Sequence, residues 1–268
     1  MKQSIHDLMA ITFYKYQGTG NDFVIIDNRG TTVDLTKEQI HRLCDRHFGI
    51  GADGLMLMNE HAGFDFEMKY YNADGNESSM CGNGGRCLVQ CAIDLGLLKR
   101  EYVFNAIDGE HRASVEDNGW IALKMQDVQR IDSSFFSDFI LDTGSPHYVK
   151  SVSDVWNYDV VKEGREIRYS KRFAKEGINV NFVEVGNEEN ISVRTYERGV
   201  ENETLSCGTG VTAAALVFAH NDNGFNRVEV RTPGGHLAVE FDKLGDTSFR
   251  NIWLSGPATF VFKGETEI

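Results

Sequence analysis

The sequence predicts an α/β (α+β) protein of two pseudo-symmetric domains, each a curved, mostly antiparallel β-sheet wrapped around a central α-helix. Three observations predict it. Two cysteines open matched Cys-Gly-polar-Gly turns, Cys81 to Gly84 and Cys207 to Gly210, and each turn leads into an apolar helical segment. The second segment, Val211 to Ala219, is apolar nearly all round, so other structure must enclose it. The remaining sequence is mostly strand-like, and one landmark recurs: Gly20-Asn-Asp-Phe-Val-Ile-Ile26 is echoed by Ile178-Asn-Val-Asn-Phe-Val-Glu-Val185. Each landmark is followed by a cysteine helix, which reads as a duplication with an extra helix in the first half.

Strands are expected at Phe13 to Tyr16 and Phe23 to Asp27. A helix follows, opened by a capping-box pair, Thr36 and Gln39, with Leu35 and Ile40 placed as a hydrophobic staple. Ile40, Leu43 and Cys44 form its apolar face, and Gly49 is its expected stop. Gly49-Ile-Gly-Ala-Asp-Gly54 has the form GxGxxG. A dinucleotide loop, however, follows a strand and opens a helix, whereas here the helix precedes and Leu55 to Met58 reads as a strand. The segment is therefore a tight helix-to-strand turn. Phe64, Phe66, Met68 and Tyr70 alternate with Asp65, Glu67 and Lys69, which is a half-buried strand. The first cysteine helix spans Gly84 to Leu95 and ends near Gly96. Cys87, Leu88, Cys91, Ala92 and Leu95 form its apolar face, so Cys87 and Cys91 belong to the core rather than to a metal site, which uses closely paired cysteines and four ligands. A hairpin is expected around Pro233-Gly234-Gly235. The domains divide as 1–127 and 128–268, with a final strand near 259–268 that returns to the first.

Composition narrows the function. The 268 residues carry a formal net charge of −13 with no basic run, which argues against nucleic acid, whose binding depends on neutralising phosphates. Neither a signal peptide nor a membrane span is legible. Five cysteines at irregular spacing do not form a secreted disulfide framework, which points to a reducing cytoplasm. The assembly, monomer or homodimer, is left open.

The chemistry is expected at the two cysteines. A thiol at a helix N-terminus faces the positive end of the dipole, which favours the thiolate; a drop of about two pKa units from roughly 8.5 corresponds to about 2.7 kcal/mol. Glycines beside each thiol admit close approach, and successive backbone N–H groups there suit a carboxylate. A carboxylate between two helix starts with a thiol on each side suggests an acid–base pair. His147, in Gly144-Ser-Pro-His147, offers a competing reading as the base of a cysteine hydrolase with Cys207. Asn21, Asn72, Asn83, Asn179 and Asn181 lie in polar turns near the cysteine motifs, and Glu197 and Arg198 form either a surface pair or a substrate clamp.

These residues resemble those of the diaminopimelate epimerase family, amino-acid epimerases that work without pyridoxal phosphate. The resemblance runs nearly end to end: Gly18 to Phe23, Cys44 to Leu55, Asn72 to Gly75, Met80 to Arg86, Gly144 to His147, Ile178 to Phe182, Arg194 to Gly199, Glu203-Thr204 and Cys207 to Gly210. It implies an active site in the cleft between two similar domains and no cofactor or metal. It also implies that Cys81 and Cys207 act as a thiolate and a thiol on opposite faces of the substrate carbon. The implied reaction interconverts LL- and meso-2,6-diaminopimelate, for lysine and peptidoglycan precursors. By motif position, Gly82, Asn83, Gly208 and Thr209 would hold the reacting carboxylate. Asn21, Asn72, Asn179, Glu197 and Arg198 would read the other charged groups, and His147 would tune the thiols. Many members carry Asn where this chain has Ser145. A proline or hydroxyproline racemase of the same superfamily is the alternative.

Overall fold

A computed structural model describes residues 10–133, 138–186, 190–218 and 223–267. Ala219 and the first nine residues, on which the sequence reading also bears, lie outside these.

The first half opens with β1 (Ala10–Gly18), antiparallel to β2 (Asn21–Asp27). α1 (Lys37–Cys44) follows, and its expected capping box is present: Gln39 N donates to Thr36 Oγ1 and Thr36 N to Gln39 Oε1. Such a cap contributes about 1 kcal/mol. The helix stops at Cys44 rather than at Gly49. Asp45 leaves helical geometry, and the amides of Ile50, Gly51 and Ala52 turn back onto the carbonyls of Leu43 and Cys44. Gly49 is needed for a different reason, since a Cβ there would lie 1.9 Å from the Arg42 carbonyl oxygen. This packed turn delivers β3 (Gly54–Asn59) parallel to β2.

β4 (Glu67–Asn72) runs antiparallel to β3 with Met68 and Tyr70 inward. It begins at Glu67, so the expected strand is shorter at its start: Phe64 and Phe66 both precede it, although Phe66 is fully buried. Next come the short β5 (Glu77–Ser78), then α2 (Gly82–Asp94), then β6 (Glu101–Ala106), parallel to β4. β7 (Gly109–Val115) and β8 (Ile121–Lys124) complete an antiparallel meander.

The second half repeats this order after β9 (Asp132–Ser133). β10 (Phe139–Asp142) is antiparallel to β11 (Pro146–Ser151); α3 (Val160–Arg168) lies in the crossover to the parallel β12 (Asn179–Val185). β13 (Asn190–Glu197), β14 (Asn202–Thr204), α4 (Gly208–Val217), β15 (Gly224–Thr232), β16 (Gly235–Gly245) and β17 (Ser248–Gly256) follow with the same pairing pattern. β15 and β16 meet in the expected Pro233-Gly234-Gly235 hairpin.

The repeat differs from the sequence reading by one strand. By order and pairing, β2 corresponds to β11, and β12 corresponds to β3. The echoing Asn-rich landmarks therefore occupy non-equivalent strands, and the helix assigned to the first half alone is present in both, as α1 and α3. Buried strands carry similar apolar runs, so local similarity does not fix which strand matches which.

α2 is enclosed by Phe23, Phe66, Phe104 and Leu123, whereas α4 is enclosed by Val193, Val230, Leu237 and Phe249. Fully burying each such side chain stabilises by about 1.5–3 kcal/mol. Cys87 and Cys91 lie fully inside the first core. The halves are continuous through antiparallel pairing of β8 with β17, in which Leu123 opposes Leu254. They also exchange strands: β9 pairs with β10, and β18 (Thr259–Glu267) pairs with β1.

Candidate active site

α2 begins at Gly82 and α4 at Gly208, two and three residues before the sequence pattern suggests, so Cys81 and Cys207 are themselves the N-caps. Both have extended backbone, and neither side chain closes a capping hydrogen bond. The first-turn N–H groups therefore stay available beside each thiol. The two helix starts converge over Leu254. A Cβ added at Gly208 would lie 3.8 Å from Gly82 Cα and 2.9 Å from Leu254 Cδ2. Both cysteines are free and partly exposed.

Cys81 Sγ reaches Asn21 Oδ1 at 3.6 Å, and Asn83 Nδ2 donates to the same oxygen at 3.3 Å. Asn83 Nδ2 also donates across the cleft to the Ser206 carbonyl at 3.1 Å, next to Cys207. Asn21 is held from behind by Asp53, whose Oδ2 accepts from Asn21 Nδ2 at 2.6 Å and from Asp22 N at 3.2 Å. Burial alone would raise the Asp22 carboxyl, but Arg46 and Lys15 hold it well below the usual range. This charged lattice fixes the start of β2. Asn72, by contrast, ends β4 opposite Gly54 and is exposed at the rim.

On the other side, Cys207 Sγ lies 3.5 Å from Thr209 Oγ1, and the Thr209 carbonyl accepts from Thr143 Oγ1 at 2.8 Å. Glu197 Oε2 accepts from Thr204 Oγ1 at 2.9 Å, and the charge of Glu197 reaches both thiols. Burial, with Asp53 nearby, raises the Glu197 carboxyl. Asn179 is occupied internally: its Nδ2 donates to Ser145 Oγ at 3.0 Å and to the Pro146 carbonyl at 3.3 Å, and its Oδ1 accepts from Arg198 N at 2.9 Å. Arg198 is exposed and also reaches Ser145 Oγ at 3.4 Å. Ser145 is thus part of the Asn179–Arg198 cluster.

His147 is fully buried, and its Nδ1 lies 3.1 Å from Asn181 Nδ2 rather than against Cys207. The Asn181 amide is oriented by Thr195 Oγ1, which donates to its Oδ1, and by the Tyr148 carbonyl, which accepts from its Nδ2. The amide therefore donates to Nδ1 and leaves the imidazole proton on Nε2, which has no partner among the described residues. Burial, then the Arg198 charge, pushes His147 down to about 3 from 6.5. The unfolded chain binds this proton near 6.5 and the folded chain only near 3. Its stabilising contribution is thus full above pH 6.5 and is lost as the pH falls toward 3. The His147 ring protons will show no titration by NMR between pH 5 and 8; a midpoint near 6.5 would contradict this environment.

The expectation of a lowered thiol pKa is not met. Burial raises both thiols and Glu197 adds to it, outweighing the amides of Gly84 and Asn83 at Cys81, and Thr209 and the Gly210 amide at Cys207. Cys207 is pushed up to about 12. Helix-end partial charges act within one turn, and desolvation at these positions exceeds them.

The structure therefore brings together Cys81, Gly82, Asn83, Asn21, Cys207, Gly208, Thr209 and Glu197, and places Asn179 with Arg198 and His147 with Asn181. Asp53, Thr19 and Arg86 were missed by sequence reasoning. Asp53 lay in a segment assigned only a turn role. Arg86 had one available signal, a cation directly beside the apolar face of the helix formed by Cys87, Leu88, Cys91 and Ala92.

Sequence and structure comparisons place the chain among known proteins. The profile of the family described as diaminopimelate epimerase matches residues 13–131 and 139–261. A diaminopimelate epimerase from Flavobacterium psychrophilum is 48% identical over 93% of this chain and 98% of its own length, and one from Chlorobaculum tepidum is 41% identical over 92% and 98%. A Bacillus anthracis phenazine biosynthesis protein of the PhzF family shares the fold at a TM-score of 0.74 with 17% identity, covering 97% of this chain and all of that one. A hydroxyproline epimerase from Agrobacterium vitis does so at 0.65 with 12% identity, covering 97% and 93%. At such identities the structural likeness concerns the fold alone, whereas the sequence matches decide membership: the chain belongs to the diaminopimelate epimerase family.

Proposed function

We propose that the chain interconverts LL- and meso-2,6-diaminopimelate by moving a proton between two thiols on opposite faces of one α-carbon, serving lysine and peptidoglycan precursor synthesis. The observation that carries this reading is the convergence of two helix N-termini, each capped by a cysteine and followed by a glycine. One cysteine, as thiolate, removes the Cα proton, and the other, as thiol, delivers one to the opposite face. The α-proton beside an ammonium and a carboxylate is weakly acidic, so stabilisation must come from preorganised donors aimed at the developing charge. The amides after each cysteine, at Gly82, Asn83, Gly208 and Thr209, are assigned the reacting carboxylate, an assignment supported by their position at the two helix N-termini. Asn21 and Glu197 face that centre. Asn72, Asn179 and Arg198 are assigned the distal charged groups, with Asn179 also orienting Arg198 and Ser145.

A cytoplasmic location belongs to the same proposal. It is supported by five free cysteines, and among the described residues no helix is long and apolar enough to cross a membrane.

Proton NMR of the reduced, pyridoxal-free protein with LL-diaminopimelate in D2O tests the reading. Deuterium will enter at one α-carbon as meso product appears. Absence of exchange in folded protein with free thiols would overturn the substrate assignment and direct the same assay to proline and hydroxyproline.

A further inference from the structure

Arg86 is the largest fully buried side chain in the described structure, and among the described residues it has no carboxylate partner. Its Nη2 donates to Asn83 Oδ1 at 2.8 Å and to Thr19 Oγ1 at 3.3 Å, its Nη1 donates to the Gly82 carbonyl at 3.4 Å, and its Nε has no partner among the described residues. A desolvated cation without a counter-charge is costly, so a fold that keeps one has a use for it or loses stability to it. The charge sits on α2 at a fixed offset from Cys81. At the same offset from Cys207, α4 carries Thr212, equally buried but neutral, bonded through Oγ1 to the Gly208 carbonyl at 3.0 Å. The two half-sites match in backbone and differ in this charge.

The guanidinium also fixes an amide. Because it only donates, Asn83 must turn its oxygen inward to Arg86 and its NH2 outward. That NH2 meets Asn21 Oδ1, which Cys81 Sγ also reaches, and the Ser206 carbonyl beside Cys207. One buried cation thus orients the side chain that spans the two thiol neighbourhoods. We propose that Arg86 is a positioning residue that makes the cysteines unequal: its buried charge favours negative charge on Cys81 over Cys207, and its hold on Asn83 sets the contact between the half-sites. Other groups facing Cys81 do not produce the same inequality. Glu197 from β13 opposes charge on either thiol, Cys207 on α4 faces it as a second thiol, and Tyr70 from β4 and Cys87 on α2 are driven by burial to stay protonated.

The proposal rests on the two-cysteine reading, and its test needs no substrate. Alkylation by iodoacetamide at low conversion, followed from pH 6 to 11 and quantified on the separate Cys81 and Cys207 peptides by mass spectrometry, reports each thiolate. In the unmodified protein, Cys81 will gain reactivity at least about one pH unit below Cys207. In Arg86→Met the Cys81 profile will move up by at least about one unit, roughly tenfold slower near neutral pH, with Cys207 unmoved. Arg86→Lys, which keeps the charge but not the fork, will restore most of the Cys81 shift. If Arg86→Met does not fold, the unmodified protein and Arg86→Lys carry the test. A Cys207 profile below that of Cys81 in the unmodified protein, or an Arg86→Met profile unchanged at Cys81, would overturn the proposal. Failure of diaminopimelate turnover with the thiol inequality intact would count against the two-base reading and leave the role of Arg86 standing.

Discussion

Cys81→Ser and Cys207→Ser will each lower diaminopimelate epimerisation by about 10²–10⁴-fold while the protein remains folded. The substitution changes one atom. Both side chains are partly exposed N-caps without a capping hydrogen bond, so little packing is lost, and serine is itself a favoured N-cap. A hydroxyl, however, is a far weaker acid than a thiol, and burial at these positions disfavours any anion further. With either thiol replaced, one face of the α-carbon lacks a competent proton donor or acceptor, and the full inversion stalls. Deuterium incorporation and product formation in D2O, alongside circular dichroism, check the prediction. Near-normal turnover in either variant would remove the two-base mechanism.

Gly210→Ala will destabilise the protein, against the usual direction of this substitution. In an ordinary helix interior, replacing glycine by alanine stabilises by about 1 kcal/mol. Here the new Cβ would lie 2.2 Å from Asn181 Oδ1. That oxygen cannot retreat freely, since Asn181 is fully buried and tied to Thr195, Tyr148 and His147. Either the amide network breaks or the start of α4 shifts, and Cys207 moves with it. The sign therefore inverts, to a loss of about 1–3 kcal/mol, with turnover falling as the thiol is displaced. Gly82→Ala is the matched control for stability: its Cβ would meet only Leu254 Cδ2, at 3.6 Å, and thermal unfolding will show no comparable loss. A Gly210→Ala protein as stable as the unmodified one would mean that Asn181 is not held as described.

What the sequence discloses here is mainly local. The capping box at Thr36, the alternation through Tyr70 and the apolar faces of the cysteine helices are written in a few neighbouring residues, and each is found in the structure. The pairing of thiols is legible because both motifs encode the same backbone turn. The equivalence of strands is not, because any buried strand resembles another, and only hydrogen-bond partners distinguish β12 as the counterpart of β3. The end of α1 is not legible for a related reason: the carbonyls of Leu43 and Cys44 are capped by amides seven or eight residues onward. Thiol acidity is not legible because local helix ends are visible in sequence, while burial against Leu254 and the facing half and the charge of Glu197 are not. Arg86 stands within the cysteine motif itself, yet its isolation from any carboxylate emerges only once Thr19 and Asn83 are folded around it.

The exchange of strands between the halves has a consequence for how the protein is made. Ala10 opposes Glu267, so the edge of β1 stays open until nearly all the residues described have been synthesised. Closing so long a loop is not prohibitive in free energy, since each doubling of length adds only about 0.6 kcal/mol. It is slow to search, and until it closes, the nascent first half presents one open edge of β1, whose start carries Ile11 and Phe13. The first half can begin folding around α2 on the ribosome but cannot be sealed there. Translation rate and chaperone access therefore bear on its yield more than the near-symmetry of its halves suggests.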